Sequence, residues 1–266
     1  MKNIFKYIGI SVILIFSFFY TEKINDILIV NTELFNEIEN NTDKYNAKYV
    51  NAQIEDDYII PGLNGIEVDV FSSYYNMKDL EVFNDSFLLY NEISPVISID
   101  NNKDKIIIKG NELKNMVAII IKDNTTIIDY SYSRGIEISR LVTLETFDDD
   151  YNYEQINNEV ENFKKLERRL NKKINSNICV INDLNIKLCQ KNKKYLVKPS
   201  LIMNNYNLSE IKNKIKKGDI IYVGDNVSLT DYKLLIHQII YQDLNIVYLS
   251  TLINEERDWI SFFFLI

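Results

Sequence analysis

Apolar and polar positions change their period several times along this chain, and each change predicts a different element. Tyr7 to Tyr20 is an uninterrupted apolar run of 14 residues preceded by Lys2 and Lys6, the layout of an export signal. It is shorter than the roughly 20 residues that cross a bilayer as a helix. Phe18-Phe19-Tyr20-Thr21 offers none of the small residues that a signal peptidase prefers. An uncleaved signal-anchor over residues 1–22 is expected, with a cleaved signal peptide as the alternative and a buried N-terminal helix as the plain structural one. The two lysines then leave the C-terminal mass outside the cytoplasm.

Residues 23–57 are polar and Asn-rich, with apolar positions too irregular for an element, and read as a stalk. Ile60-Pro61-Gly62-Leu63-Asn64-Gly65 has turn chemistry, and Ile66-Glu67-Val68-Asp69-Val70 alternates like a half-buried strand. Ile97 to Ile99 and Lys105 to Ile108 predict short strands flanking the charged turn Asp100 to Asp104. Residues 58–115 therefore read as a small strand-rich module.

At Met116 the period changes. Val117-Ala118-Ile119-Ile120-Ile121 is continuous and apolar, the mark of a strand buried on both faces in a parallel sheet. From Glu154 to Ile174, apolar residues at spacings of three and four predict one long amphipathic helix. Asn177 to Ile181 follows as a strand, Leu184 to Gln190 as a helix, and Tyr195-Leu196-Val197 as a strand stopped by Pro199. Asn207 and Glu210 have capping-box spacing, and Gly218 ends the helix that they open. Ile220 to Val223, a helix from Leu229 to Gln242, and Ile246 to Leu249 form a βαβ unit, hence a parallel pair with a right-handed crossover. Residues 116–254 thus predict an α/β domain. The greasy tail Trp259 to Ile266 is expected to pack on that domain, with membrane contact as the alternative.

Composition narrows the function classes. The chain is 46% hydrophobic and 26% charged with 7 Gly and 3 Pro, which suits a folded domain and not a disordered tether. A net charge of −8, with no Lys/Arg cluster flanked by stacking aromatics, disfavours nucleic acid as a partner. Cys179 and Cys189 could pair in an oxidising compartment or remain buried thiols. There is no P-loop, no G-x-G-x-x-G and no G-x-S-x-G. A cysteine nucleophile would need the single histidine, His237, as its base.

The order of several short motifs resembles the polysaccharide deacetylase (NodB-homology) family. They are Arg134-Gly135-Ile136-Glu137-Ile138-Ser139, Tyr195-Leu196-Val197-Lys198-Pro199-Ser200, Lys216-Lys217-Gly218-Asp219-Ile220-Ile221, and Leu244 to Leu252. The resemblance covers residues 58 to 254. It implies a truncated, deacetylase-like (β/α) barrel-type domain, α/β in class, preceded by the strand-rich module and an N-terminal membrane helix.

In active members the resemblance implies a divalent metal held by an Asp and two His four residues apart, a neighbouring Asp as base and a later His as acid. The metal polarises an N-acetyl carbonyl and acidifies its bound water. Here His237 lies inside the last helix, which suits a structural or surface residue. Aligned on Gly135 to Arg140, the usual His positions fall at Ile136 and Leu141, which bind no metal, with Glu145 four beyond. The interval from Ile121 to Gly135 reads as lacking a βα unit. In a second register, Thr146-Phe147-Asp148-Asp149-Asp150 resembles the family's Thr-Phe-Asp-Asp-Gly. Asp148 would then be the base and Asp149 a ligand, although Asp150 replaces the glycine and three acids ahead of a helix also suit its positive end.

The resulting expectation is an anchored, extracytoplasmic protein of the cell envelope, with a degenerate site, no cofactor and a carbohydrate-associated or scaffold role. Two alternatives remain: a hydrolase using a carboxylate-rich metal site of Glu145, Asp148, Asp149 and Asp150, since hard cations accept oxygen donors alone, or a structural envelope protein without ligand. In these readings the partners are an envelope glycan and the membrane.

Overall fold

The computed structural model describes residues 2–149, 153–171, 177–204 and 207–257. The first elements are α1 (Lys2–Val30), α2 (Glu33–Tyr45), β1 (Gln53–Glu55), β2 (Tyr58–Ile60), β3 (Gly65–Val68), α3 (Val70–Met77), β4 (Tyr90–Ile93) and β5 (Ile106–Ile107). Next come β6 (Met116–Ile121), α4 (Thr125–Ser133), β7 (Ser139–Val142), β8 (Gln155–Asn157), α5 (Phe163–Leu170), β9 (Ile178–Val180), α6 (Ile186–Lys191) and β10 (Tyr195–Val197). The chain continues through β11 (Leu201–Met203), α7 (Leu208–Lys214), β12 (Ile220–Val223), α8 (Leu229–Tyr241), β13 (Asn245–Val247) and α9 (Leu249–Ile253). These elements form two compact units.

The first unit holds residues 2–48 and 65–93. Its helix α1 runs well past the 14-residue apolar stretch, and Tyr7–Val30 is long and apolar enough to cross a membrane. The stretch expected to be a stalk is α2. Thr32 caps it by accepting from the Phe35 N–H, and Leu34, Phe35 and Ile38 are buried. Those apolar positions lie on one face within about one turn, so a few of them suffice for a helix once Val68, Met77 and Leu88 supply a partner surface. β3 and β4 pair antiparallel beside it. The module expected over 58–115 is accordingly divided, because only residues 65–93 join this core and the remainder joins the second unit.

The second unit holds residues 49–64 and 94–257. One sheet has the order β1-β2-β5-β10-β9 and the other β11-β12-β6-β7-β8, with β13 also on β6. Every pair is parallel except β1 with β2. The sheets curl into a barrel-type enclosure at two places. Only three residues separate β10 from β11. Across them the Lys198 N–H donates to Ile107 O in one sheet and the Ser200 N–H to Ile220 O in the other, both at 2.9 Å. At the far side β8 lies along β9.

The uninterrupted apolar run of β6 is explained by this enclosure. Met116, Ala118 and Ile120 join an interior core with Leu141, Ile156, Ile178, Val197 and Ile220. Val117, Ile119 and Ile121 join an outer core with Ile127, Ile211, Leu235 and Ile239 from the covering helices. Each such isoleucine side chain, fully buried, contributes on the order of 2 kcal/mol. Gly218, at φ +82°, enters β12 where a Cβ would fall 2.4 Å from Gly110 O. Cys179 on β9 and Cys189 on α6 are both buried and form a disulfide, with Cα atoms 6.0 Å apart.

Several sequence expectations are corrected by these contacts. The long helix expected from Glu154 to Ile174 begins as β8, because Ile156 and its neighbours pair with β7 and fill the barrel interior. Among the described residues of this span Phe163–Leu170 is helical, and Ile174 lies outside the described residues. The interval from Ile121 to Gly135 is not short of a helix, since α4 fills it. No further strand lies between β6 and β7, and between β7 and β8 the described residues of 143–154 contain no helix. Ile97 to Ile99 is a turn, and Leu249 opens α9 instead of ending a strand. Asn207 stands at the N-cap position of α7 but its side chain makes no bond to the helix; its Oδ1 accepts from the Asn204 N–H at 2.8 Å. The tail Trp259 to Ile266 lies outside the described residues.

Candidate functional site

Parallel α/β sheets place ligands at the carboxyl ends of their strands, where loops diverge and helix N-termini point inward. In this barrel that end is built first from β6. Its inward parity runs Met116, Ala118, Ile120, so the next inward position is Lys122. The Lys122 ammonium lies 3.2 Å from the carboxylate of Asp123. Asn124 then caps α4, accepting from the Ile127 N–H at 3.2 Å. Its Nδ2 donates to the carbonyls of Asp225 at 3.1 Å and Val227 at 2.9 Å, which ties the end of β6 to the end of β12. Tyr222 packs on the interior core. Burial, with the charges of Asp225 and Asp123 beside it, pushes its phenol above the ordinary value.

The sequence candidates lie in the loop after β7, at this same end. Thr146 Oγ1 accepts from the Thr143 N–H at 2.9 Å and tightens the first turn. Gln155 grips the backbone of Asp148 from both sides, accepting its N–H at 3.1 Å and donating to its carbonyl at 2.7 Å. Asp149 pairs with Arg169 at 2.9 Å, and that guanidinium stands over the Phe147 ring at 4.6 Å. Glu145 is exposed. Asp150 lies outside the described residues.

Among the described residues no three Asp, Glu, His or Cys side chains gather as a metal would require. Asp149, the proposed ligand, already has a guanidinium partner. The donor set described does not fit the deacetylase metal. Ile136 packs on the outer core and Leu141 on the interior one, and Glu137 Oε2 accepts from the Tyr248 N–H at 3.3 Å. His237 is exposed on α8.

Sequence reasoning missed two features. The first is the Lys122-Asp123 pair, although a strand that ends in charged residues and leads into a helix was the available signal. The second is a cavity of about 480 Å³ at the opposite end of the barrel, among residues that precede β8, β9 and β10 and follow β13. Asp100, Glu154, Glu255 and Glu256 line it, without a lysine or arginine. Asp100 accepts from the Tyr195 hydroxyl at 2.5 Å and from Lys103 at 3.1 Å, and both hold its carboxyl below the usual range. Glu154 is buried and accepts from the Ser139 hydroxyl, from the Leu249 N–H at 2.9 Å and from the Ser250 N–H at 3.2 Å.

No family model matches the chain. Among solved structures it is similar to the wild-type CE4-family pseudoenzyme BA3943 of Bacillus anthracis. That match has a TM-score of 0.59 at 19% identity and covers 86% of this chain and 97% of that one. A BA3943 mutant described as a CE4 pseudoenzyme with restored enzymatic activity gives a TM-score of 0.58 at 20% identity, over 85% and 100% of the two chains. In sequence, 89 residues are 34% identical to the uncharacterized protein YlxY of Bacillus subtilis (strain 168), 33% of this chain and 28% of that protein. The chain therefore matches less than a third of that relative's length. The fold is that of CE4 carbohydrate esterases, the deacetylase-like barrel expected from the motifs.

Proposed function

We propose that this chain is an envelope-facing, deacetylase-like protein whose barrel no longer hydrolyses through a metal and serves a carbohydrate-associated or scaffold role. The observation that carries this reading is the end of β6. A strand that runs directly into a helix at the carboxyl end of the sheet is a physical setting suited to a pair of carboxylates that hold a cation, and here Lys122 stands beside Asp123. An ammonium at that point repels a divalent cation and neutralises the carboxylate of Asp123 beside it. The likeness in fold to a protein described as a pseudoenzyme supports the same reading.

Two features support the compartment. Tyr7–Val30 suits a single span, and the Cys179–Cys189 disulfide suits an oxidising environment outside the cytoplasm. The test uses the full chain in uncharged detergent. Metal content and acetate release from N-acetylglucosamine oligomers are measured alongside retention of the chain on a column of the same oligomers. Retention with neither metal nor acetate is expected. Stoichiometric metal with turnover abolished by Asp148→Asn would overturn the proposal and favour the carboxylate-rich site, and absence of retention would leave only the structural role.

A further inference from the structure

In a chain of net charge −8, helices α5 and α6 and the residues that follow α6 concentrate exposed cations. Helix α5 reads Phe-Lys-Lys-Leu-Glu-Arg-Arg-Leu, with Phe163, Leu166 and Leu170 buried and Lys164, Lys165 and Arg168 exposed. Helix α6, stapled to β9 by the disulfide, adds exposed Lys187 and Lys191, and Lys193 follows it. Among the described residues no acid forms an ion pair with any of these six cations. Arg169 differs, because Asp149 holds it.

The acids that might neutralise this face are mostly used elsewhere. Glu167, on α5 itself, forms an ion pair with the buried Lys194 and also accepts from Asn157 Nδ2 at 2.9 Å. Among the described residues, Glu161 is the one exposed acid in the groove described next. Two hollows, of about 420 and about 350 Å³, meet at α5, and Lys164 and Arg168 line both. The larger runs between α5 and α6 over the side chains of Phe163 and Leu188. The smaller adds the amides of Asn171, Asn177 and Asn192. Lys164 and Arg168 stand four residues apart, about 6 Å along the helix axis, on the ridge between the hollows.

We infer that this α5–α6 groove binds a linear polyol-phosphate polymer, in which phosphodiesters alternate with short uncharged spacers and carry no bases. Cations without a carboxylate partner on a concave wall focus positive potential and attract a polyanion. Arg168 offers a fork that matches phosphate oxygens, and Lys164 a compact charge beside it. The apolar floor at Phe163 and Leu188 suits the uncharged spacers between phosphates. A flat lipid surface would engage protruding cations and not two joined hollows, whereas an extended chain can lie along both and meet Lys164 and Arg168 where they join. The groove opens at residues 160–162, in the loop after β8, and runs along α5; it shares no residue with the strand ends at Lys122 or Asp148, so its occupancy does not depend on the function proposed for them.

The experiment is fluorescence anisotropy of a labelled glycerol-phosphate oligomer against the full chain in uncharged detergent. The K164Q/R168Q variant is compared with K214Q/K217Q, which removes the same charge from another helix end. Binding by the native chain is expected, with at least a tenfold loss for the groove variant and less than a twofold change for the control. The slope of log K against log salt should flatten by about 1.4 in the groove variant, since each of the two phosphates that Lys164 and Arg168 neutralise accounts for roughly 0.7. An equal loss in both variants would reduce the effect to net charge and overturn the site, as would absence of binding. Binding that is stronger to vesicles of anionic lipid than to the oligomer, and lost in the same variant, would replace the polymer by a membrane surface and also overturn it.

Discussion

The ammonium of Lys122 lies 3.2 Å from the carboxylate of Asp123, immediately beyond the last residue of β6. Both side chains are partly exposed, at 35% and 43%, so the pair contributes under about 1 kcal/mol to folding. Lys122→Ala should therefore leave the urea midpoint almost unchanged. If the strand end touches a glycan, the same variant should elute early from a column of N-acetylglucosamine oligomers. Unaltered retention would show that the glycan is held elsewhere on the chain.

Glu154 is a different kind of carboxylate. It is 4% exposed and accepts three hydrogen bonds, one from the Ser139 hydroxyl and two from the backbone N–H groups that begin α9. Glu154→Gln keeps the shape but turns one oxygen into an NH2 group that faces donors. Leaving such buried donors unmatched costs about 1–3 kcal/mol. Urea denaturation should show a loss of that size, and a midpoint within error of the native chain would mean that water can replace the missing acceptor.

The contrast between these residues shows what the sequence discloses. The run Val117 to Ile121 announces a strand buried on both faces, and β6 is that strand, because each residue meets either the interior or the outer core. Ile156 was legible as buried but not as strand, since its spacing to Val160 and Phe163 suits a helix equally well. Only the ladder to β7 decides the matter. Leu34 and Ile38 were too sparse to predict a helix until Val68, Met77 and Leu88, thirty or more residues later, completed their core. Asp148 and Asp149 attracted attention through a local motif, whereas Lys122 became a candidate only when parity along β6 and its junction with α4 were known. Local patterns identify burial well. They cannot disclose which strand ends share one mouth.

The bridge between Cys179 and Cys189 closes a loop of 10 residues and ties α6 to β9. Loop-closure entropy for that separation corresponds to about 2–3 kcal/mol. Reduction with dithiothreitol should lower the free energy of unfolding in urea titrations by that much, and alkylation followed by mass spectrometry should find both sulfurs protected before reduction. Two labelled thiols in the untreated protein would remove the disulfide and with it one support for an oxidising compartment.

Glu255 gives the fold a dependence on pH with a determinate sign. Its carboxyl accepts from the Gly62 N–H at 2.8 Å and the Ile99 N–H at 3.1 Å. Burial is the largest influence and raises its pKa; Asp100 adds to this, and the two N–H groups and Lys114 oppose it. The folded state thus holds the proton to higher pH than the unfolded chain, whose glutamates titrate near about 4.3. Stability from this group is fully present below that value and is lost as pH rises through the folded pKa. Asp100, held low by Tyr195 and Lys103, has the opposite sign and loses its contribution as pH falls through its own folded value. The two are separated by Glu255→Gln, whose amide oxygen can still accept from the backbone. The variant should gain on the native chain in urea midpoint near about pH 7, and the gap should narrow toward about pH 4, where Glu255 becomes neutral in both states. A gap that stays constant across that range would assign the raised carboxyl no role in stability.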